Sequence, residues 1–133
     1  MRSTPLFETP TPKALTIHQP WAHLIVSGRK TIENRTWKTQ YRGPLYIHAG
    51  KCRYPSSPAF MGNPHEIEGI NPADLTFGAI IGRVELVDII TRSNSPWFTG
   101  PYGWVLRNPE PICPISLRGM MGLFDLPAGT IGG

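Results

Sequence analysis

The sequence predicts a mainly β protein with some α, a small β-barrel of five to six strands with short flanking helices. Three observations carry that expectation. Apolar residues fall mostly in short runs that alternate with polar ones, the period of a half-buried strand. Only one segment repeats at helical spacing. The 15 prolines and 14 glycines among 133 residues punctuate the chain too often for long helices. A chain of this length is most simply one domain, large enough to bury a real core.

Taken in order, residues 1–13 read as a flexible N-terminal arm, residues 14–127 as the single domain, and residues 128–133 as a tail. Ala14-Leu15-Thr16-Ile17 alternates and predicts the first strand. Gln19-Pro20 opens a helix with proline at its first position, where the missing N–H costs nothing. Trp21, Leu24 and Ile25 then fall at i, i+3 and i+4 and form its buried stripe, and Gly28 stops it. Residues 31–35 read as extended, so Glu33 and Arg35 share one face while Ile32 takes the other. Gly43-Pro44 is a turn and residues 45–49 the next strand. Residues 52–76 form a long loop rich in Pro, Gly, Ser and Asn, with one helical turn at 73–75. Residues 78–90 are the clearest strand, with Val84 and Leu86 on one face and Arg83, Glu85 and Val87 on the other. A loop over 91–103 carries Trp97, Phe98 and Tyr102. Short strands at 104–106 and 112–115 precede a last one at 123–126.

Charge is unevenly spread. From Arg29 to Arg53 there are seven bases (Arg29, Lys30, Arg35, Lys38, Arg42, Lys51, Arg53) and one acid, Glu33, a local +6 in a chain of net +4. This segment is interleaved with Trp37, Tyr41 and Tyr46, which points to a polyanionic partner at one basic, aromatic-lined groove. Cys52 and Cys113 form no C-x-x-C pair and no disulfide framework. The N-terminus lacks the apolar core of a signal peptide, and no apolar run approaches the roughly 20 residues of a membrane span. A soluble, cytoplasmic protein without membrane partners is the expectation.

Lys30, Glu33 and Arg35 could bind a phosphate or position a base; the alternative is a surface ion pair worth about 0–1 kcal/mol. Arg42, His48 and Lys51 form a second basic group, in which His48 serves either as a proton-transfer or stacking group or as a satisfied structural residue. Trp37 and Tyr41, beside charge, are candidates for a base-stacking platform, where each stacked base contributes about 1–3 kcal/mol. No metal site is expected: His18, His23, His48 and His65 show no ligand pairing. Walker-type phosphate loops and the G-x-S-x-G elbow are absent from the sequence.

Several motifs resemble one known family. Leu15-Thr16-Ile17 with Gln19-Pro20-Trp21-Ala22, the G-x-K-x-x-E-x-R set Gly28, Lys30, Glu33 and Arg35, and Tyr41-Arg42-Gly43-Pro44 running into Ile47-His48-Ala49 are similar to the ASCH (activating signal cointegrator homology) domain of the PUA-like superfamily. The resemblance continues through Gly78 to Gly82 and Gly103-Trp104-Val105-Leu106 to Leu123-Phe124. It implies a barrel with helices beside it and a positively charged cleft between them. That cleft holds Lys30, Glu33 and Arg35, with Trp21 near its wall, and binds RNA or another nucleic acid. With Trp37, Tyr41, Arg42 and Lys51 these make the expected nucleic-acid-binding set, and single-stranded RNA or a modified nucleoside the expected ligand. No cofactor is needed for binding.

Some bacterial members of that family that resemble this chain are Mg²⁺-dependent nucleases on single-stranded RNA, so the resemblance implies as the alternative a metal-dependent ribonuclease, with Mg²⁺ as its cofactor, or a nucleoside-processing hydrolase in the same cleft. Lys30, Glu33, His48 and Lys51 are then the candidate catalytic residues. A shorter branch hydrolyses N4-acetylcytidine with a Lys and a Thr three residues later; here that position is Glu33, which removes the nucleophile. A third reading is a protein–protein adaptor using the Pro-rich stretch 54–72 and Trp97-Phe98.

Overall fold

The computed structural model describes residues 11–50, 70 and 75–132. Seven elements follow in order: β1 (Lys13–His18), α1 (Trp21–Val26), β2 (Ile32–Arg35), β3 (Gly43–Gly50), β4 (Ala79–Ile90), β5 (Tyr102–Ser116) and β6 (Leu123–Asp125). The strands form one sheet in the order β2-β5-β4-β3-β1-β6, curled into a half-barrel. This is the mainly β, barrel-like fold that the alternating segments predict. β1 and β3 run parallel, with Leu15 opposite Ile47, and every other pairing is antiparallel.

Alternation sorts the apolar residues onto two faces. Leu15 and Ile17 of β1, Leu45, Ile47 and Ala49 of β3, and Val84 and Leu86 of β4 pack with Trp104 and with Ala22, Ile25 and Val26 of α1. Ala14 faces the other way, into a smaller cluster with Ile80, Phe124 and Leu126. A six-residue helix is too short to hold itself, and α1 depends on this core and on its ends. The buried Gln19 accepts the His23 amide on Oε1 (2.8 Å) and donates from Nε2 to the Thr76 carbonyl (2.9 Å). Pro20 stands just before the helix rather than inside it, its carbonyl taking the Leu24 amide as the first helical bond. At the other end Gly28 turns at φ +89°, and the amides of both Arg29 and Lys30 return to the Leu24 carbonyl. That reversal sends Lys30 back beneath the helix, where it is 6% exposed.

Two expectations are corrected. Gly43-Pro44 begins β3 instead of forming a turn outside it, opposite Leu86 and Glu85; proline is tolerated at a strand's first residues. β5 is one 15-residue strand, not two short ones. Pro109, Pro111 and Pro114 read as breaks, but they lie beyond Val105, the last residue of β5 that pairs with β2. Among the described residues no strand pairs with β5 there on the side away from β4, so the ladder loses little at a proline, and pairing to β4 continues through register shifts. At the start of the domain, the Pro12 carbonyl takes the Leu126 amide and Lys13 pairs with Asp125 at 2.6 Å. Most of the N-terminal arm, the 73–74 part of the expected helical turn, most of the long loop and Lys51 lie outside the described residues.

Candidate functional site

Among the described residues β2 sits at one edge of the sheet and pairs with β5 alone, with Glu33 opposite Trp104 and Arg35 opposite Tyr102. The two-residue period puts Glu33 and Arg35 on one face. Curling of the sheet carries Arg35 back to β1, where its Nη2 donates to the Thr16 carbonyl at 2.8 Å. That carbonyl is available because β6 pairs with β1 only from Lys13 to Leu15. The same nitrogen lies 3.1 Å from Glu33 Oε2, and Lys30 Nζ lies 3.8 Å from Glu33 Oε1. The helix exit and the edge strand therefore bring two cations onto one carboxylate.

Aromatics frame the lysine. Its Nζ lies 5.7 Å from the ring centroid of Trp21 on α1 and 5.3 Å from that of Trp97 in the β4–β5 loop. Both indoles are half-buried. Cation–π contacts of this kind contribute from about 0.5 kcal/mol when exposed to about 2 when desolvated. Asn34 secures the loop that delivers Trp97. It donates from Nδ2 to the Trp97 carbonyl (2.9 Å), and its Oδ1 accepts the amides of Thr99 (2.8 Å) and Gly100 (3.1 Å).

Burial pushes the Glu33 carboxyl above its ordinary value, against the opposing pull of the Arg35 and Lys30 charges, the Arg35 hydrogen bond and the field of His18. Among the described residues two cations face this one carboxylate, a net positive set. Such a charge on low-dielectric walls attracts anions. The same donor set does not fit a divalent metal: one carboxylate flanked by a lysine and an arginine repels a cation. Among the described residues no group of three or more His, Cys, Asp or Glu could hold one.

Other residues expected at the site lie elsewhere. His48 is 2% exposed on the opposite face of the sheet. Its Nε2 is 2.6 Å from the Leu117 carbonyl, so that nitrogen carries the proton in the neutral ring, and Nδ1 accepts from the Thr16 hydroxyl at 3.1 Å. It is a satisfied structural histidine at the base of a hollow of about 790 Å³ lined also by Arg118, Met120 and Met121. Trp37, expected as a stacking platform, packs edge-on to the buried Trp104 at 4.8 Å and accepts its indole N–H on its own carbonyl. Tyr41 packs against the core and donates its hydroxyl to the Pro44 carbonyl. Arg42 is exposed and bonds the carbonyls of Thr39 and Tyr41 within its own loop. Lys51 is outside the described residues.

Sequence reasoning passed over Asn34 and Thr16, and it placed Trp97 on an adaptor surface. An asparagine inside a strand was the available signal, since Asn is depleted there unless its side chain has a partner. The contacts of Trp97 depend on a fold that joins positions 30 and 97, which no local pattern shows.

Comparison with known proteins agrees with this architecture. The family model for the ASCH domain matches residues 15–99. Human activating signal cointegrator 1 is 29% identical over 117 residues, covering 72% of this chain and 19% of the human protein. Its mouse counterpart is 36% identical over 83 residues, covering 59% of this chain and 14% of the mouse protein. The chain thus spans less than a fifth of the length of these relatives. The solved ASCH structure from Zymomonas mobilis superposes with a TM-score of 0.54 at 18% identity, covering 90% of each chain. A point mutant of the same protein gives 0.56 at 18% identity, covering 91% of this chain and 94% of its own.

Proposed function

Because this chain belongs to the ASCH domain family, which is generally linked to RNA binding, we propose that it binds single-stranded RNA at the Lys30–Glu33–Arg35 cleft. The observation that carries this reading is the convergence of two cations on one carboxylate that is largely withdrawn from solvent, with the lysine beside the indoles of Trp21 and Trp97. The net positive field draws a phosphodiester chain, and the half-buried indoles offer faces on which unpaired bases stack. Glu33 fixes the two cations and holds acceptor oxygens near the path of a base. A base amino group is a donor suited to those oxygens. Engagement of the Glu33 carboxylate by two cations favours binding over cleavage.

Fluorescence anisotropy with a labelled single-stranded RNA of about ten nucleotides tests this. Affinity is expected to fall as salt rises, with a logarithmic slope near −0.7 for each phosphate neutralised. Arg35→Gln, shown folded by circular dichroism, is expected to bind more weakly and to lower the slope by about 0.7. Salt-insensitive binding, or an Arg35→Gln protein indistinguishable from wild type, refutes the assignment.

A further inference from the structure

The sheet order dictates where the second basic run must go. β2 lies at one edge, and its successor in sequence, β3, lies beyond both β5 and β4. The connection over residues 36–42 therefore crosses the ends of those two strands. It lays Lys38, Thr39, Gln40 and Arg42 over Ile89 and Thr91 at the end of β4 and Tyr102 at the start of β5, enclosing a hollow of about 480 Å³. That lies within the range of ligand-sized pockets, about 300–1,000 Å³. Trp37 anchors the crossing by its edge-on contact with Trp104.

We propose that this hollow is a second nucleotide subsite, occupied by the same RNA strand after it leaves the Lys30–Glu33–Arg35 cleft; the inference rests on the RNA-binding reading above. Three observations carry it. First, the two places are joined: Arg35 and Tyr102 are directly opposed in the β2–β5 ladder, so their side chains share a face, and Tyr102 lines the hollow. Second, among the described residues its lining holds two cations and no acid. Lys38 and Arg42 are exposed. The nearest carboxylate in sequence to Ile89, that of Asp88, is turned onto the Ile89 amide at 2.8 Å. Third, Tyr102 is half-buried, so its ring is fixed by the core yet reachable by a base. A phosphate between Lys38 and Arg42 with a base against Tyr102 is the pairing of charge and aromatic face by which single strands are held without sequence preference. One strand spanning both hollows binds more tightly than an oligomer that fills only the first.

The test is length dependence. Single-stranded oligomers from dinucleotide to dodecanucleotide are titrated against the wild-type chain, Lys38→Ala, and Lys38→Ala with Arg42→Ala. Lys38→Ala stands alone because Arg42 also braces its loop through the Thr39 and Tyr41 carbonyls. For wild type, affinity is expected to rise with length. The double variant should lose about 1.4 from the magnitude of the salt slope on the long oligomer, and Lys38→Ala about 0.7, at about 0.7 per charge. Extrapolated from molar to physiological salt, the double loss is on the order of tenfold. Dinucleotide affinity should not change. Unchanged affinity and slope on the dodecanucleotide, or an equal loss on the dinucleotide, overturns the second subsite while leaving the first intact. A wild-type chain that binds no oligomer of any length overturns both.

Discussion

Replacing Asn34 by alanine probes the device that delivers Trp97 to Lys30. Three hydrogen bonds disappear together: one to the Trp97 carbonyl and two from the amides of Thr99 and Gly100. At about 0.5–1.5 kcal/mol net for each, the sum is roughly 1.5–4.5 kcal/mol. Thr99 is exposed, so water replaces part of what is lost, and the lower half of that range applies. A loss of about 2 kcal/mol corresponds to roughly 6–10 °C in Tm for a domain of this size. Urea unfolding of wild type, Asn34→Ala and Asn34→Asp measures it. The aspartate keeps both acceptor bonds and loses only the donor, so its cost should be less than half that of alanine. Hydrogen exchange should quicken at residues 99 and 100 in the alanine variant. A cost below about 0.5 kcal/mol, or an aspartate no better than alanine, would refute the claim that this side chain holds the loop.

Other consequences follow from the same geometry. Glu33 has a folded-state pKa raised above 4.5 by burial, so its contribution to stability is fully present below 4.5 and is lost as pH rises through the folded value. The Tm of wild type relative to Glu33→Gln should therefore decline over that window, and a difference that grows with pH contradicts it. At Gly119 an added Cβ would lie 2.6 Å from Thr16 Oγ1 and 2.7 Å from the His48 ring. Gly119→Ala should cost about 1–3 kcal/mol by overpacking, and a neutral effect in thermal melts would show that segment to be loosely seated. Incubation of the purified protein with single-stranded RNA and Mg²⁺ should leave the RNA intact on denaturing gels. Cleavage that disappears in Glu33→Gln would instead make Glu33 catalytic.

Much of the fold was legible because short alternating runs and turn residues are local signals. Leu15 and Ile17, or Val84 and Leu86, announce their faces without any knowledge of the partner strand. The pairing of Glu33 with Arg35 was legible for the same reason, since a two-residue period needs only the extended conformation. β5 was misread because three prolines look like breaks until it is known that, among the described residues, no strand pairs with that stretch on its outer side. His48 takes the structural one of the two roles left open for it, while Trp37 and Tyr41, expected to offer stacking faces, pack against the core. Each sits beside basic residues in sequence, yet the curl of the sheet turns them to the core or the far face. Asn34 escaped notice and Trp97 was assigned to a different surface because their contacts join segments more than 60 residues apart, and contact at that range is a property of topology.

The account is tested most directly by the indole N–H resonances of the four tryptophans in a ¹⁵N-labelled sample titrated with single-stranded RNA. Trp21 and Trp97 flank Lys30, whereas Trp104 is fully buried with its N–H on the Trp37 carbonyl. The prediction is that the Trp21 and Trp97 signals move in step with RNA concentration while that of Trp104 stays in place. Signals for Trp21 and Trp97 that remain fixed at saturating RNA would contradict it.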